Sequence, residues 1–461
     1  MPYSCKIRFS EIVCGCCLIF FCWINGLFAA DATLDLKTLR SQAESGNKTA
    51  QFHLANRYFY GQDNCPVNRE LAVYWFRKAA EQGVPEAQYN YALCLEQGIG
   101  INRNIPEAMK YYRLSAANLF VPAMYRQAVL MMKGPALSAA EEKKLTPENR
   151  KAINNIMDPP AGLALLKQLA DKYKMPEAQV DLAEYLIKNL PQNAEEKIKT
   201  GKKIYALLIR AKKQNPQGKN AVIYRLLADC MFGGYGVKIN EKKAVDYLKK
   251  AVDAGDDEAM VKLAYCIEKG VTSPPDSKKA FELYRKAAEK GFPYAQYKYG
   301  NYIAAGYENG KGLEEAIRWY QRAANYQCPE ALHQLGLLYY KGIGVDRDEA
   351  MAAECMMRSA KLDHAPAQLA LGILFLKDGK VIKTDPSASV YWFDKAAEKG
   401  SAQASKYLAL CRIHGTGCNR DSNAAVKAMQ EAVMLGDSQA AVWIRQDPRS
   451  WPGITTLDLD L

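Results

Sequence analysis

The stretch ALHQLGLLYYKGIG, residues 331–344, contains a pattern of apolar, small and glycine residues that returns along most of the chain. Counted from its first alanine, a leucine stands at +4 (Leu335), a small residue at +5 (Gly336), and glycines at +11 (Gly342) and +13 (Gly344). The same frame fits eight other starting alanines: Ala50, Ala87, Ala123, Ala178, Ala259, Ala295, Ala367 and Ala404. From 259 through 295 and 331 to 367 each step is 36 residues, and so regular a period predicts stacked repeats.

The first half of each repeat is predicted to be a helix, here called helix A. Positions +4, +5 and +8 share one face of a helix with 3.6 residues per turn. Position +5 is always alanine or glycine, and only a side chain of this size lets a second helix approach closely. The glycine at +11 ends the helix by adopting the left-handed conformation.

The second half is predicted to be another helix, helix B. Asp348 is an example of its start, since aspartate and asparagine cap helix N-termini well. Small residues follow at Ala352 and Ser359, and equivalent repeats end in glycine, as at Gly400. Each unit is therefore a helical hairpin that cannot bury its apolar face alone.

The LGxxYxxGxGV run that begins at Leu335 and the KAAExG run at residues 395–400 resemble the Sel1-like repeat, a relative of the tetratricopeptide repeat. A tetratricopeptide array would have a 34-residue period and would lack the GxG loop. The resemblance covers almost everything after residue 33. It implies an all-α, right-handed α-solenoid of about ten helix-turn-helix Sel1-like repeats.

Departures from the repeat divide the chain into segments. The run LRSQAESG, residues 39–46, resembles the end of a predicted helix B and therefore indicates a capping helix. The insertion at 135–160 is either a functional face or a joint between two superhelical segments. The predicted segments are a signal peptide (1–30), an N-terminal capping helix (31–47), Sel1-like repeats (48–132), degenerate repeats with a helical insertion (133–220), regular Sel1-like repeats (221–437), and a C-terminal cap and tail (438–461).

Residues 1–30 have the composition of a secretory signal. Lys6 and Arg8 precede a nearly uninterrupted apolar run at 12–28, and Ala29, Ala30 and Ala32 follow it. The pattern predicts cleavage after Ala30 or Ala32 and an exported protein, periplasmic or extracellular. A retained membrane anchor is the alternative, since the run is near the minimum length of a membrane span.

Eight of the thirteen cysteines follow this segment. Cys94, Cys266 and Cys411 all stand at +7 of helix A, which favours buried thiols that act as small apolar side chains. A disulfide between Cys411 and Cys418 is the alternative.

The sequence carries no motif for metal binding or catalysis. Its four histidines stand in different repeats, and no HExxH pattern occurs. The glycine-rich loops follow helices rather than strands, so they do not read as phosphate-binding loops. We therefore expect no cofactor, no metal and no enzymatic activity.

Basic residues recur at two helix A positions that packing does not require. Positions +3 and +10 are seven residues apart and lie on one face. In Sel1-like arrays helix A lines the concave surface, so the resemblance implies a basic binding surface there. The alternative is that lysine near a helix C-terminus only complements the helix dipole. The candidate binding residues are Arg126, Lys262 and Lys298 at +3, and Lys133, Lys269, Lys341 and Lys377 at +10.

The net charge of +12 favours an acidic partner. Residues 197–219 contain eight basic residues and no acid, and are read either as a landing patch for an acidic protein, lipid headgroup or polyanion, or as a solvated helix face. No interleaved aromatic residues suit nucleic acid, which is not expected as a partner.

By resemblance, we expect an exported, non-catalytic scaffold for protein–protein interaction, with acidic proteins among its partners. A cell-envelope polysaccharide- or peptidoglycan-associated binding protein is the alternative. A hydrolase of the disulfide-rich Sel1-like type has no support in these residues. Membrane contact is expected only through the N-terminal segment, if it is retained.

Overall fold

The computed structural model describes residues 34–63, 65–137, 141–142, 145–214, 221–308, 312–377 and 383–456. Within these ranges the secondary structure consists of 23 α-helices and two 3-10 helices, with no β-strand. The all-α prediction is therefore confirmed. The predicted signal peptide (1–30) and the last five residues of the tail lie outside the described residues, as do parts of the insertion. None of the helices described is long and apolar enough to span a bilayer.

The chain forms two compact units, residues 1–247 and 248–461. Most helices of the first unit pack on the next helix in chain order, whereas the short helix Pro147–Asn154 contacts Ile105–Ala117. Its helices are α1 (Leu36–Glu44), α2 (Lys48–Tyr60), α3 (Arg69–Glu81), α4 (Pro85–Gln97), α5 (Ile105–Ala117), α6 (Val121–Lys133), α7 (Pro147–Asn154), α8 (Pro159–Asp171), α9 (Pro176–Lys188), α10 (Ala194–Gln214) and α11 (Ala221–Gly233). Helix α12 (Glu241–Asp253) contains the boundary between the units.

The second unit repeats the same hairpin five times and ends in a short helix. Its helices are α13 (Asp257–Lys269), α14 (Ser277–Glu289), α15 (Pro293–Ala304), α16 (Leu313–Asn325), α17 (Pro329–Lys341), α18 (Glu349–Lys361), α19 (Ala365–Leu374), α20 (Pro386–Glu398), α21 (Ala402–His414), α22 (Ser422–Met434) and α23 (Ser438–Trp443). The buried ring of Trp451 completes the core at this end, where its Nε1 donates to the Trp443 carbonyl at 2.7 Å.

The caps that the sequence predicted are present at both ends of the hairpins. Asp276 and Asp348 precede helices B, and each carboxylate accepts hydrogen bonds from backbone N–H groups of the first turn. Gly342 ends α17 in the left-handed conformation, with φ 68° and ψ 38°. Helix α19 differs, because position +11 of that repeat is Asp378 rather than glycine and the helix already ends at Leu374.

The +5 position brings helix A into close contact with helix B. A Cβ added to Gly300 would lie 2.6 Å from Cε1 of Tyr320, and one added to Gly372 would lie 2.5 Å from Cδ1 of Phe393. A Cβ on Gly336 would lie 2.7 Å from Cγ of Met356. The predicted packing role of this position is therefore confirmed.

The second glycine of the GxG loop contacts the preceding hairpin. Gly100 follows α4 with φ 66°, and a Cβ there would lie 2.5 Å from the carbonyl oxygen of Arg69, the first residue of α3. Gly236 lies equally close to Gly201 of α10, because a Cβ added to Gly236 would lie 2.6 Å from the Gly201 carbonyl oxygen. Gly344 and Gly417 likewise face the first turns of α16 and α20. The loop therefore needs glycine for both its backbone conformation and its closeness to a neighbouring helix B.

Candidate protein-interaction surface

The side chain of Arg126 on α6 is occupied by an internal ion pair. It pairs with the Glu96 carboxylate on α4, and the two side chains are only 16% and 7% exposed. Tyr112 of α5 donates a hydrogen bond of 2.7 Å to the other oxygen of Glu96. Burial alone would lower the pKa of the Arg126 guanidinium, but Glu96, Tyr112 and Tyr89 together raise it above its ordinary value. Arg126 therefore links two neighbouring repeats.

The same arrangement recurs in the second unit. Lys298 Nζ of α15 lies 2.7 Å from Glu268 Oε1 of α13, and both side chains are less than one-fifth exposed. Tyr284 of α14 donates to Glu268 Oε2 at 3.1 Å. Burial and the nearby Glu268 raise the pKa of the Tyr284 phenol, which keeps it a donor. We call Glu268, Tyr284 and Lys298, and likewise Glu96, Tyr112 and Arg126, a Tyr–Glu–cation triad.

The two triads share one spacing, which was not recognised in the sequence. The tyrosine stands 16 residues after the glutamate and the cation 30 residues after it, at 96, 112 and 126 and again at 268, 284 and 298. The glutamate occupies position +9 of helix A, and only these two of the nine repeats have an acid there. An acid at +9 followed by a base at +3 of the next repeat would have been the detectable signal.

Lys133 at the end of α6 contacts an acid of the following helix A. Its Nζ lies 3.4 Å from Asp181 Oδ1 on α9, while Tyr125 donates to Asp181 Oδ2 at 2.7 Å. The Lys133 side chain is 43% exposed, so its ammonium remains accessible to solvent.

The other predicted residues lie in the second unit and differ in accessibility. Lys262 Nζ lies 3.8 Å from Glu258 Oε1 of its own helix, and both side chains are about one-third exposed. Lys269 and Lys341 are exposed at the C-terminal ends of α13 and α17. Neither ammonium forms an ion pair with a residue that the structure describes. Lys377 lies three residues beyond α19, in a turn rather than on a helix face.

The insertion after α6 is attached firmly to the first unit. Arg103 forms an ion pair of 2.6 Å with Glu141 and donates to the Ala136 carbonyl at 2.7 Å. Ile153 and Ile156 are buried in the core. The segment thereby forms a shallow cavity of about 420 Å³ against α5, lined by Pro106, Met109, Lys110, Arg113, Leu114, Asn155 and Ile156.

Two of the four histidines meet across neighbouring repeats. The rings of His333 and His364 have centroids 5.2 Å apart, and His364 Nδ1 lies 3.2 Å from Ser359 Oγ. Burial lowers the pKa of His333 to about 4 and also lowers that of His364. Among the described side chains, no three of His, Cys, Asp or Glu are grouped to hold a metal ion.

The repeats match a family model whose description is the Sel1 repeat. The matched segments leave out residues 119–223, which include the whole degenerate region. They are residues 48–84, 85–118, 224–256, 257–292, 293–325, 329–364, 365–401 and 402–437.

Curated relatives share short segments with this chain. Chitin synthase regulatory factor 2 of Schizosaccharomyces pombe is 32% identical over 101 residues, which is 22% of this chain and 20% of that protein. The ERAD-associated E3 ubiquitin-protein ligase component HRD3B of Arabidopsis thaliana is 32% identical over 101 residues, 22% of this chain and 16% of that protein. The chain thus spans a fifth or less of the length of these relatives.

A solved structure shares the fold over most of the chain. A protective antigen of uropathogenic Escherichia coli strains aligns with a TM-score of 0.54 and 24% identity, covering 89% of this chain and 82% of that one. This likeness supports the α-solenoid architecture alone. Because the matched repeat segments together span more than half of the sequence, the chain belongs to the Sel1-repeat family.

Proposed function

We propose that the protein is an exported, non-catalytic scaffold that binds an acidic protein partner through exposed cations of helix A, chiefly Lys269 and Lys341. The observation that carries this proposal is the contrast between two ion-paired cations at +3 and two exposed cations at +10, while Lys262 and Lys133 are partly exposed and ion-paired. Arg126 and Lys298 at +3 pair with carboxylates that are less than one-fifth exposed, whereas Lys269 and Lys341 at +10 are exposed. A cation with no ion-pair partner among the described side chains can attract an acidic surface at little desolvation cost.

Two further points support a binding role. One named relative is a regulatory factor, and the other is a component of a ligase. Extended stacks of repeats also present long surfaces, which repeat proteins use to bind other proteins. Export rests on the signal-like pattern of residues 1–30, and N-terminal sequencing of the protein from fractionated cells tests it.

The binding proposal is tested by reversing Lys269 and Lys341 to glutamate together and crosslinking the full chain in its native cell. Lys286 and Lys361 lie exposed on helices B of the same unit, so the Lys286→Glu and Lys361→Glu double variant is a control of equal net charge. Lys298 is left unchanged, because a glutamate there would face Glu268.

We expect the protein crosslinks of the wild type to persist in the control and to disappear in the Lys269 and Lys341 variant. Crosslinks that persist in the Lys269 and Lys341 variant as they do in the control would refute the proposed surface. Enrichment of envelope polysaccharide instead of protein would favour the polysaccharide-binding alternative.

A further inference from the structure

Helix α10 carries a row of cations along its exposed face. Lys199, Lys202, Lys203, Arg210 and Lys213 are all exposed. At 3.6 residues per turn these five side chains fall within an arc of about 100° and extend over about 21 Å of the helix axis. We call these five residues the α10 cation row. From Lys197 to the end of this helix the sequence contains no acidic residue.

The opposite face of α10 is buried and holds the row in place. Ile204, Leu207, Leu208 and Ala211 are at most 1% exposed. Gly201 packs against the backbone of the loop at Gly236, so the middle of the helix lies directly on its neighbour. Since the apolar face is already covered, α10 cannot insert an apolar face into a bilayer, as interfacial helices do.

One cation of the row, Lys203, and one beside it, Lys212, already have neighbours. Lys203 Nζ lies 3.3 Å from Asp171 Oδ2, and both side chains are about half exposed. Lys212 lies beside the row, with its Nζ 5.5 Å from the ring centroid of Tyr224 and 5.4 Å from that of Tyr247. Lys199, Lys202, Arg210 and Lys213 form no ion pair with any side chain in the described ranges.

The arrangement favours one class of partner. Parallel rows of opposite charge attract each other, and an extended peptide of about six residues would cover 21 Å. No aromatic side chain lies within the row to stack on bases, and most of its cations are lysines, so nothing in it favours nucleic acid. Only one large apolar residue, Ile198, is strongly exposed on the helix, at 60%.

We infer that the α10 cation row is a second docking surface, which binds an acidic segment of a protein partner. The inference rests on the proposed scaffold function but uses residues of the first unit, whereas Lys269 and Lys341 lie in the second.

The test uses a fluorescein-labelled octaglutamate peptide and the full chain, with binding measured by fluorescence anisotropy at several salt concentrations. One variant changes Lys199, Lys202, Arg210 and Lys213 to glutamate, and a milder one changes them to glutamine so that a folding defect cannot be mistaken for lost binding. Circular dichroism checks that both variants keep the helical content of the wild type. The control changes Lys37, Lys48, Lys78 and Lys151 to glutamate, because these exposed lysines of the same unit give an equal change in net charge.

We expect the row variants to weaken octaglutamate binding at least about tenfold, while the control stays within about threefold of the wild type. The wild-type affinity should also fall steeply with salt, since exposed charges are screened. The Lys269 and Lys341 variant should bind the peptide normally, which separates this inference from the proposed function.

Three results would overturn the inference. The control could weaken binding as much as the row variants, which would mean that only net charge matters. An oligothymidylate with eight phosphates could bind as tightly as the peptide, which would indicate a general polyanion site. Phosphatidylserine vesicles could bind when octaglutamate does not, which would indicate a membrane surface.

Discussion

The Lys298 ammonium lies 2.7 Å from the Glu268 carboxylate across two neighbouring repeats, and residues at the same spacing bring Arg126 to Glu96. In both places a buried tyrosine of the intervening helix B donates to the second carboxylate oxygen. Each triad therefore joins three consecutive helices through one carboxylate.

Replacing Lys298 by alanine should destabilise the protein by about 2 kcal/mol, because it leaves the Glu268 charge without its ion partner in a mostly buried site. The control is Lys262→Ala, which removes the more exposed pair with Glu258 and should cost less than about 1 kcal/mol. Urea unfolding followed by circular dichroism measures both. Equal losses in the two variants would show that the triad is not a special contact.

Substitutions at +5 should depend on what the glycine faces. Gly372→Ala would meet the rigid ring of Phe393, whereas Gly336→Ala would meet the flexible side chain of Met356. We expect overpacking to cost about 1–3 kcal/mol for Gly372→Ala and less for Gly336→Ala. Gly336→Leu, which Met356 cannot accommodate, should again cost about 1–3 kcal/mol. Thermal unfolding gives the order, and a Gly336→Leu variant as stable as the wild type would contradict the packing described.

Acid should weaken the second unit through His333 and His364. Burial holds the pKa of His333 at about 4 in the folded chain, below its ordinary value of 6.5, and lowers that of His364. The unfolded chain therefore binds protons first as pH falls. The contribution of these neutral histidines to the free energy of unfolding is complete above about pH 6.5 and is lost progressively towards pH 4.

The His333→Gln variant tests this dependence. Relative to its own stability at pH 8, it should lose up to about 3 kcal/mol less than the wild type by pH 4. Unfolding midpoints measured between pH 8 and pH 4 would show the difference. Parallel curves for the two proteins would rule out His333 as the titrating group.

Cys411 and Cys418 are free thiols in the structure, and they should be slow to react. Burial raises the pKa of Cys411 to about 12 and also raises that of the half-buried Cys418, so little reactive thiolate exists at pH 8. Iodoacetamide should label Cys418 before Cys411 in the native protein, as peptide mass spectrometry would show. Two missing thiols in a denaturing titration without reductant would instead reveal the disulfide that the sequence left open.

The hairpins could be predicted because their signals are local. The +5 glycine, the +11 glycine and the capping aspartates act within one or two turns of their own helices, so periodicity alone places them. The triads could not be predicted in this way, because they depend on contacts between side chains of neighbouring repeats. Lys298 looked dispensable for packing because periodicity gives the face of a residue, but it does not give the side chain opposite on the next repeat. Glu268 is 30 residues away, and only the stacking distance between helices A brings the two together.

Lys377 shows the same limit on a smaller scale. Its place at +10 predicted a helix face, but that repeat lacks the +11 glycine and α19 ends early. The predicted binding role of the exposed lysines stays a prediction.

The second glycine of each GxG loop packs on the preceding helix B, and this contact affects how such a chain can lengthen during evolution. Gly344 faces Leu313, and Gly417 faces Pro386, each across a similar stretch of sequence. A duplication or deletion that begins and ends at equivalent points of two repeats leaves every loop packed on a helix of the same kind. A duplication or deletion of any other length places a loop against a backbone segment that does not fit it. Whole repeats can therefore be gained or lost in a single genetic event, while partial ones require compensating changes.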